Sequence, residues 1–323
     1  PVPSRAIRRV RLAAFAGLIL AASTLPTGVA RSASVASAPV ATVASVTEEA
    51  PLTGEAPVTA VADAPDEPVD ATTSEAAEAT RRLDEADIAA GSCGSVVYTP
   101  SASTSYEADL CVPANRTSDV VVILVHGGGG TGGVRSDLRS WQEAYRSLGY
   151  VTLSIDYRLN DPSADSQVWP EPEQNLKAAV QFVRLLEPTL GTDQVTVQGH
   201  SAGARLGSVA YTTPDDPTFT GSALWPGVSD RIDGFIGFYG YYDGYQFEYE
   251  SYYGAAGSPG SASANDNASQ ASGEAMLITG DADSLVEPSE TREFAEALTR
   301  TGHEAQVVEL SGRNHGFDLR DGS

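Results

Sequence analysis

Gln194-Val195-Thr196-Val197-Gln198-Gly199-His200-Ser201-Ala202-Gly203 passes from a β-branched run into a tight turn bounded by glycines, and Ala202–Tyr211 behind it reads as a helix. Gly199–Gly203 fits G-x-S-x-G, a pattern that by itself carries little weight in a chain with 31 glycines. Its position between a strand and a helix gives it meaning. A serine on so sharp a turn is held in a strained conformation with its hydroxyl exposed at the end of a sheet, and flanking glycines relieve the crowding. Ser201 is therefore the candidate nucleophile. The alternative is a glycine-rich turn without chemistry.

Outward from that turn the alternation of strand and helix repeats. Apolar runs suited to buried strands are Val120–Val125, Val151–Ile155, Val195–Val197, Ile232–Phe238, Ala275–Thr279 and Gln306–Leu310. Helical stretches fall between and after them, at about 137–148, 173–187, 202–212 and 288–301. This order predicts an α/β fold, a mainly parallel central sheet with helices on both faces. Functional loops then belong at the carboxyl ends of the strands.

Two of those loops offer chemistry to match the serine. His126-Gly127-Gly128-Gly129-Gly130 follows the first run. Glycines let backbone N–H groups approach a developing oxyanion without side-chain obstruction. In serine sites built on such a turn, one donor follows the nucleophile and others come from the first Gly-rich loop, here Ala202 with Gly128 and Gly129. A floppy loop and a phosphate-binding loop are the alternatives; no G-x-x-x-x-G-K-[ST] pattern supports the second.

The general base is found by elimination among four histidines. His126 belongs to the Gly-rich loop and is expected to hold it by hydrogen bonding. His200 sits inside the turn pattern and points away from a base position, and His303 reads as a helix-end residue. His315, just after the last strand, stands where a base belongs in the order serine, acid, histidine. The acid that orients it is sought in Gly280-Asp281-Ala282-Asp283. Asp283 is preferred; Asp281, next to the strand end, suits a turn, and Asp243 is the outside candidate.

With these pieces in place, residues 119–317 resemble the esterase/lipase branch of the α/β-hydrolases that carries an H-G-G-G loop. This is the grouping around hormone-sensitive-lipase-like carboxylesterases and acetyl-xylan/feruloyl-type esterases. The matching segments are His126–Gly130, Asp156-Tyr157-Arg158-Leu159, Trp169-Pro170, Gly199–Gly203, Gly280–Val286 and Asn314–Phe317. The resemblance implies a serine ester hydrolase with Ser201 as nucleophile, Asp283 as acid, His315 as base, and neither cofactor nor metal. A small-molecule or polysaccharide-linked ester is the expected substrate, with short-acyl or aryl groups because the chain offers a Tyr-rich run and no long apolar insert to build a channel. Departures are visible. No Trp or Phe follows the Gly-rich loop, and only eight residues follow His315, so the usual closing helix is expected to be missing. Tyr239–Tyr253 is dense in tyrosine, and Tyr239, Tyr241 and Tyr242 are expected to line the substrate site; ordinary aromatic core is the alternative.

The N-terminal part reads differently. Arg5, Arg8, Arg9 and Arg11 precede an apolar stretch, Leu12 to Leu25, and a small-residue site at Gly28-Val29-Ala30, the pattern of a signal peptide over residues 1–30. As a helix, Leu12 to Leu25 would span about 21 Å of a hydrocarbon core about 30 Å thick, so export is expected and stable membrane insertion is not. Residues 31–90, rich in Ala, Thr, Pro and acids, read as a disordered linker with room for a short helix around Glu75–Ala90. The catalytic domain is then 91–323. An exported chain gives its two cysteines meaning: Cys93 and Cys111 face each other if Ser95–Tyr98 and Tyr106–Leu110 form a hairpin centred on Ala102. A disulfide there would contribute about 3 kcal/mol on the chain-entropy account.

Hydrophobic residues make up 41% of the chain, which supports a packed core, and the net charge of −23 excludes nucleic acid and anionic lipid as natural partners. A peptidase with the same triad would usually bring a propeller or large cap. A lipase would want an apolar lid, whereas the insert here is Tyr-rich and polar. A non-catalytic binding protein on a dead hydrolase fold is the reading from another class, and the filled triad and oxyanion positions argue against it.

Overall fold

Val120–Val125 is apolar at every position and buried at every position, which requires cover on both faces of the strand. The computed structural model describes residues 69–85, 88–100, 105–161, 163, 167–192, 194–220, 224–243 and 260–319. In chain order the elements used below are α1 (Val69–Glu85), β1 (Cys93–Val97), β2 (Glu107–Cys111), β3 (Val120–Val125), α2 (Arg139–Ser147) and β4 (Val151–Ile155). There follow α3 (Glu171–Leu185), β5 (Gln194–His200), α4 (Ala202–Thr212), β6 (Gly234–Phe238), β7 (Glu274–Gly280), α5 (Pro288–Arg300) and β8 (Ala305–Leu310).

The strands form one sheet of eight in the order β1-β2-β4-β3-β5-β6-β7-β8. From β4 to β8 every pair is parallel; β1 and β2 are antiparallel to their neighbours. This is the α/β-hydrolase sheet expected from the alternating pattern. Side chains alternate between two cores. Val121, Ile123 and Val125 join Val195, Val197, Phe235 and Leu277 under α3, α4 and α5. Val122 and Leu124 join Ile236, Phe238, Met276 and Ile278 beneath Trp141 and Tyr145 of α2. Strand order reverses between β3 and β5, so their carboxyl ends part around a crevice, the usual ligand position in such sheets.

Cys93 pairs with Cys111 in the β1–β2 register, and the two are joined by a disulfide that closes the hairpin. The turn around Ala102 lies outside the described residues. So do the expected signal peptide and the expected linker as far as residue 68. Of the linker, the short helix expected around Glu75–Ala90 is found as α1, Val69–Glu85, and what needs correction is that it is packed against the domain. Ala79 and Leu83 are buried in the main core, and Arg82 donates to Val97 O (3.1 Å) and Thr99 O (2.5 Å) beneath Trp225. A stretch poor in large side chains still buries one narrow stripe when Ala76, Ala79 and Leu83 recur at helical spacing. The folded body therefore begins no later than Val69, ahead of the expected boundary at residue 91.

At the other edge β8 is covered by α5, with an Arg292–Glu309 ion pair of 2.7 Å between them, while Val307 stays 40% exposed. No helix among the described residues is long and apolar enough to cross a membrane. If α1 belongs to the fold, Leu83→Ala should lower the unfolding free energy by about 2 kcal/mol or more. Urea denaturation measures this; a loss within error would return α1 to the linker.

Candidate active site

Four loops meet at the carboxyl end of the sheet: those after β3, β5, β7 and β8. The turn after β5 forces Ser201 to φ 54°, a conformation rare for a residue with a Cβ, and its N–H donates to Phe238 O at 2.9 Å. The strained backbone is over-determined by its neighbours, as strain at such sites requires.

Ser201 Oγ lies 2.9 Å from His315 Nε2, and His315 Nδ1 lies 2.9 Å from Asp283 Oδ2. Asp283 is buried, and its Oδ1 accepts from the amides of Leu285 and Val286, both at 2.9 Å. One carboxylate oxygen is thereby fixed by backbone and the other is left for the imidazole. Asn314 Oδ1 accepts from Ser284 N (3.0 Å) and His315 N (2.7 Å), tying the base's loop to the acid's loop. Asp281 instead accepts from Gly312 N at 2.6 Å, a turn-forming role, and Asp243 lies beside the Glu290 carboxylate. A serine, an imidazole and a carboxylate in this chain can transfer the serine proton to the ring as the oxygen attacks a carbonyl.

The Gly-rich loop lies directly against this serine: a Cβ on Gly127 would stand 3.1 Å from Ser201 Cβ. Gly128 and Gly129 take φ of +113° and +64°, values that turn their peptides in ways a larger residue resists. No acceptor among the described residues takes their amides, and Ala202 N–H, at the first turn of α4, has none within its own helix. His126 holds the loop as expected: its Nδ1 donates to Gly127 O at 2.7 Å and its ring stacks on Tyr157. Burial pushes the His126 imidazole below its ordinary range, so it stays neutral there.

The three tyrosines expected at the substrate site divide. Tyr241 is half-exposed and donates to Leu285 O at 2.6 Å, beside the exposed Leu285 side chain. Tyr242 is a correction: it is buried, with its ring stacked on Phe294 at 4.7 Å, and belongs to the core. Tyr239 is also buried, so it does not line a rim; its ring lies 4.6 Å from that of His315. Aromatic density in the sequence does not say which ring turns inward. Residues 244–259, most of the Tyr-rich insert, lie outside the described residues. Sequence reasoning passed over Gln198, Trp141, Tyr145 and Asp318, which join His200 and Tyr239 in a buried polar chain behind Ser201. The available signal was polar Thr196, Gln198 and His200 alternating with apolar residues in a central strand.

The family model described as BD-FAE matches residues 108–298, more than half of the chain. The chain belongs to the BD-FAE family. This BD-FAE chain is 29% identical over 231 residues to the esterase LipC of Mycobacterium tuberculosis, a match covering 63% of this chain and 54% of LipC. It is 28% identical to esterase LipQ of the same organism, covering 62% and 50% of the two chains. It thus spans about half the length of these curated relatives. Among solved structures it is similar to Thermogutta terrifontis esterase 2 phosphonylated by sarin (TM-score 0.61, 21% identity, 72% of this chain and 88% of that one). It is also similar to the same esterase with propionate bound (TM-score 0.60, 23% identity, 70% and 85% of the two chains). These likenesses agree with the α/β-hydrolase sheet described above.

The geometry separates the three candidate acids. Asp283→Asn should cut turnover by a factor approaching about 10⁴, while Asp281→Asn and Asp243→Asn remain close to wild type. Steady-state hydrolysis of a small ester compares them; a larger loss in Asp243→Asn would move the acid to the preceding strand.

Proposed function

We propose that this protein is an exported serine carboxylic-ester hydrolase that acts on short-acyl or aryl esters through an acyl-enzyme. The observation that carries the reading is the unbroken chain from Ser201 Oγ through His315 to a buried Asp283 with its second oxygen already satisfied. In the first half-reaction Ser201 Oγ attacks the ester carbonyl carbon and its proton passes to His315 Nε2. Asp283 holds the ring by Nδ1–H and stabilises the imidazolium. Negative charge develops on the former carbonyl oxygen, and the amides of Gly128, Gly129 and Ala202 are assigned to it. Collapse expels the alcohol with the proton from His315 and leaves the acyl group on Ser201. Water then attacks with His315 as base, the acid departs, and the serine recovers its proton.

The curated relatives named as esterases support the reaction class, and the propionate seen in the Thermogutta enzyme supports small acyl groups. A further argument is physical. Each CH₂ adds about 0.8 kcal/mol only where an apolar channel buries it. Tyr241 and the exposed Leu285 give the acid's loop a small, partly exposed apolar rim. Export is supported by the arginine-led N-terminal pattern and by the Cys93–Cys111 disulfide.

The test is a series of p-nitrophenyl esters, acetate to palmitate, beside peptide anilides. Acetate and butyrate should give the highest kcat/KM, anilides should be inert, and Ser201→Ala should abolish turnover while leaving the fold intact. Activity of Ser201→Ala within about tenfold of wild type would sink the nucleophile. A preference rising steadily to palmitate would make the protein a lipase.

A further inference from the structure

Two histidine–carboxylate pairs adjoin Ser201. One, His315 with Asp283, faces the serine and carries the proposed chemistry. The other, His200 with Asp318, has both side chains buried and has no part in it. Asp318 accepts from Trp141 Nε1 at 2.9 Å and from the Tyr239 hydroxyl at 2.5 Å, and His200 Nδ1 lies 3.1 Å from its carboxylate and 3.2 Å from that hydroxyl. The His200 tautomer is set from its other side. Tyr145 donates its hydroxyl to Gln198 Oε1 at 2.5 Å, so the Gln198 amide nitrogen faces His200 Nε2, at 3.0 Å, and donates to it. The ring proton is left on Nδ1, toward Asp318 and the Tyr239 hydroxyl that Asp318 holds.

So many donors on one buried carboxylate ask for a reason, because such a group is costly unless fully satisfied. Burial works against ionisation of Asp318. His200, with the hydrogen bonds from Tyr239 and Trp141, outweighs it and holds the carboxyl below its ordinary range. The position of Asp318 supplies the reason. It lies three residues beyond His315 on the loop that carries the base. That loop has a positive-φ glycine on each side of His315, Gly312 at +71° and Gly316 at +68°, and glycines lend it no stiffness. Anchors must come from side chains. Upstream the anchor is Asn314 on the acid's loop; downstream it is Asp318. Between them Phe317 packs on Tyr239 at 5.4 Å, and the Tyr239 ring packs on His315.

We propose that Asp318 is a positioning residue for His315: through His200, Tyr239 and Trp141 it ties the base's loop to the nucleophile's strand, independently of Asp283. The proposal rests on the ester-hydrolase reading for its consequence in turnover, and on geometry alone for its effect on the His315 ring. The groups that face that ring are Ser201, Asp283 and Tyr239, with Asp318 behind the tyrosine hydroxyl.

Asp318→Asn keeps the size of the side chain but turns one accepting oxygen into a donor among donors. With p-nitrophenyl acetate, kcat should fall between about tenfold and 10²-fold, because small misplacements of a base cost that much. KM should stay within about twofold, since no substrate contact is removed. The acid limb of kcat/KM should move to lower pH, because the imidazolium loses a nearby carboxylate. A merely structural role would lower active-enzyme concentration and leave that limb in place. Tyr239→Phe keeps the buried ring and loses only the hydroxyl, and should lower kcat several-fold with KM unchanged. Titration of the His315 ring by NMR, in wild type and Asp318→Asn, should show the same downward shift without any turnover. A folded Asp318→Asn protein whose His315 titrates as in wild type overturns the proposal, whether or not the wild type hydrolyses esters. If Asp318→Asn does not fold, Tyr239→Phe decides: wild-type kcat there overturns it. Failure of the hydrolase reading shows separately, as a wild type without esterase activity.

Discussion

Helix α4 meets the end of β3 with no side chain between them, and the site depends on that approach. A Cβ on Gly203 would stand 2.3 Å from Val125 O and 2.4 Å from His126 O, and one on Gly199 would stand 2.3 Å from Gly203 O. Contacts that short are backbone against backbone and cannot be relieved by moving a side chain. Because both positions are glycine, Gly199 pairs in register with Val125, and the loop after β3 lies on the turn after β5. The nucleophile, the Gly-rich amides and the crevice at the strand-order reversal are therefore set by one close contact.

The two faces of β5 divide the remaining work. Val195 and Val197 face the larger core, where their contribution is burial of apolar area. Thr196, Gln198 and His200 face α2 and are equally buried. Polar groups so placed stabilise a fold only when satisfied, and they then specify one arrangement of their partners. Gln198 has Tyr145 of α2 and His200 has Asp318, which Trp141 of α2 also holds, while the Thr196 hydroxyl has no hydrogen-bond partner among the described residues. A strand of valines on both faces would hold the sheet as well, but it would not orient the loop that brings in His315.

What was legible in the sequence follows from range of interaction. Strands and helices with continuous periodic burial were readable, and so was the convergence of Ser201, His315 and Asp283, because each sits at the end of a strand whose order is local information. Cys93 and Cys111 were readable from a hairpin register. That Tyr242 takes the core alternative, and that the short helix expected around Glu75–Ala90 is packed and begins at Val69, share one reason. Burial of an isolated aromatic, or of a small-residue stripe, depends on a distant partner: Phe294 for Tyr242, and the shared core for Ala79 and Leu83. Asp318 was invisible on the same ground, since its donors come from residues 141, 200 and 239.

That spread in sequence has a consequence for assembly. The parallel strands β3 to β8 pair across long connections, so the sheet forms at the cost of closing large loops. The polar chain behind Ser201 depends on the finished sheet, because its members come from α2, β5, the end of β6 and the loop after β8. Until Asp318 docks, His200 and Trp141 are donors facing an apolar interior, a state that favours water and an open loop. With Asp318 docked these donors face its carboxylate, and the loop that carries His315 is held against α2 and β5.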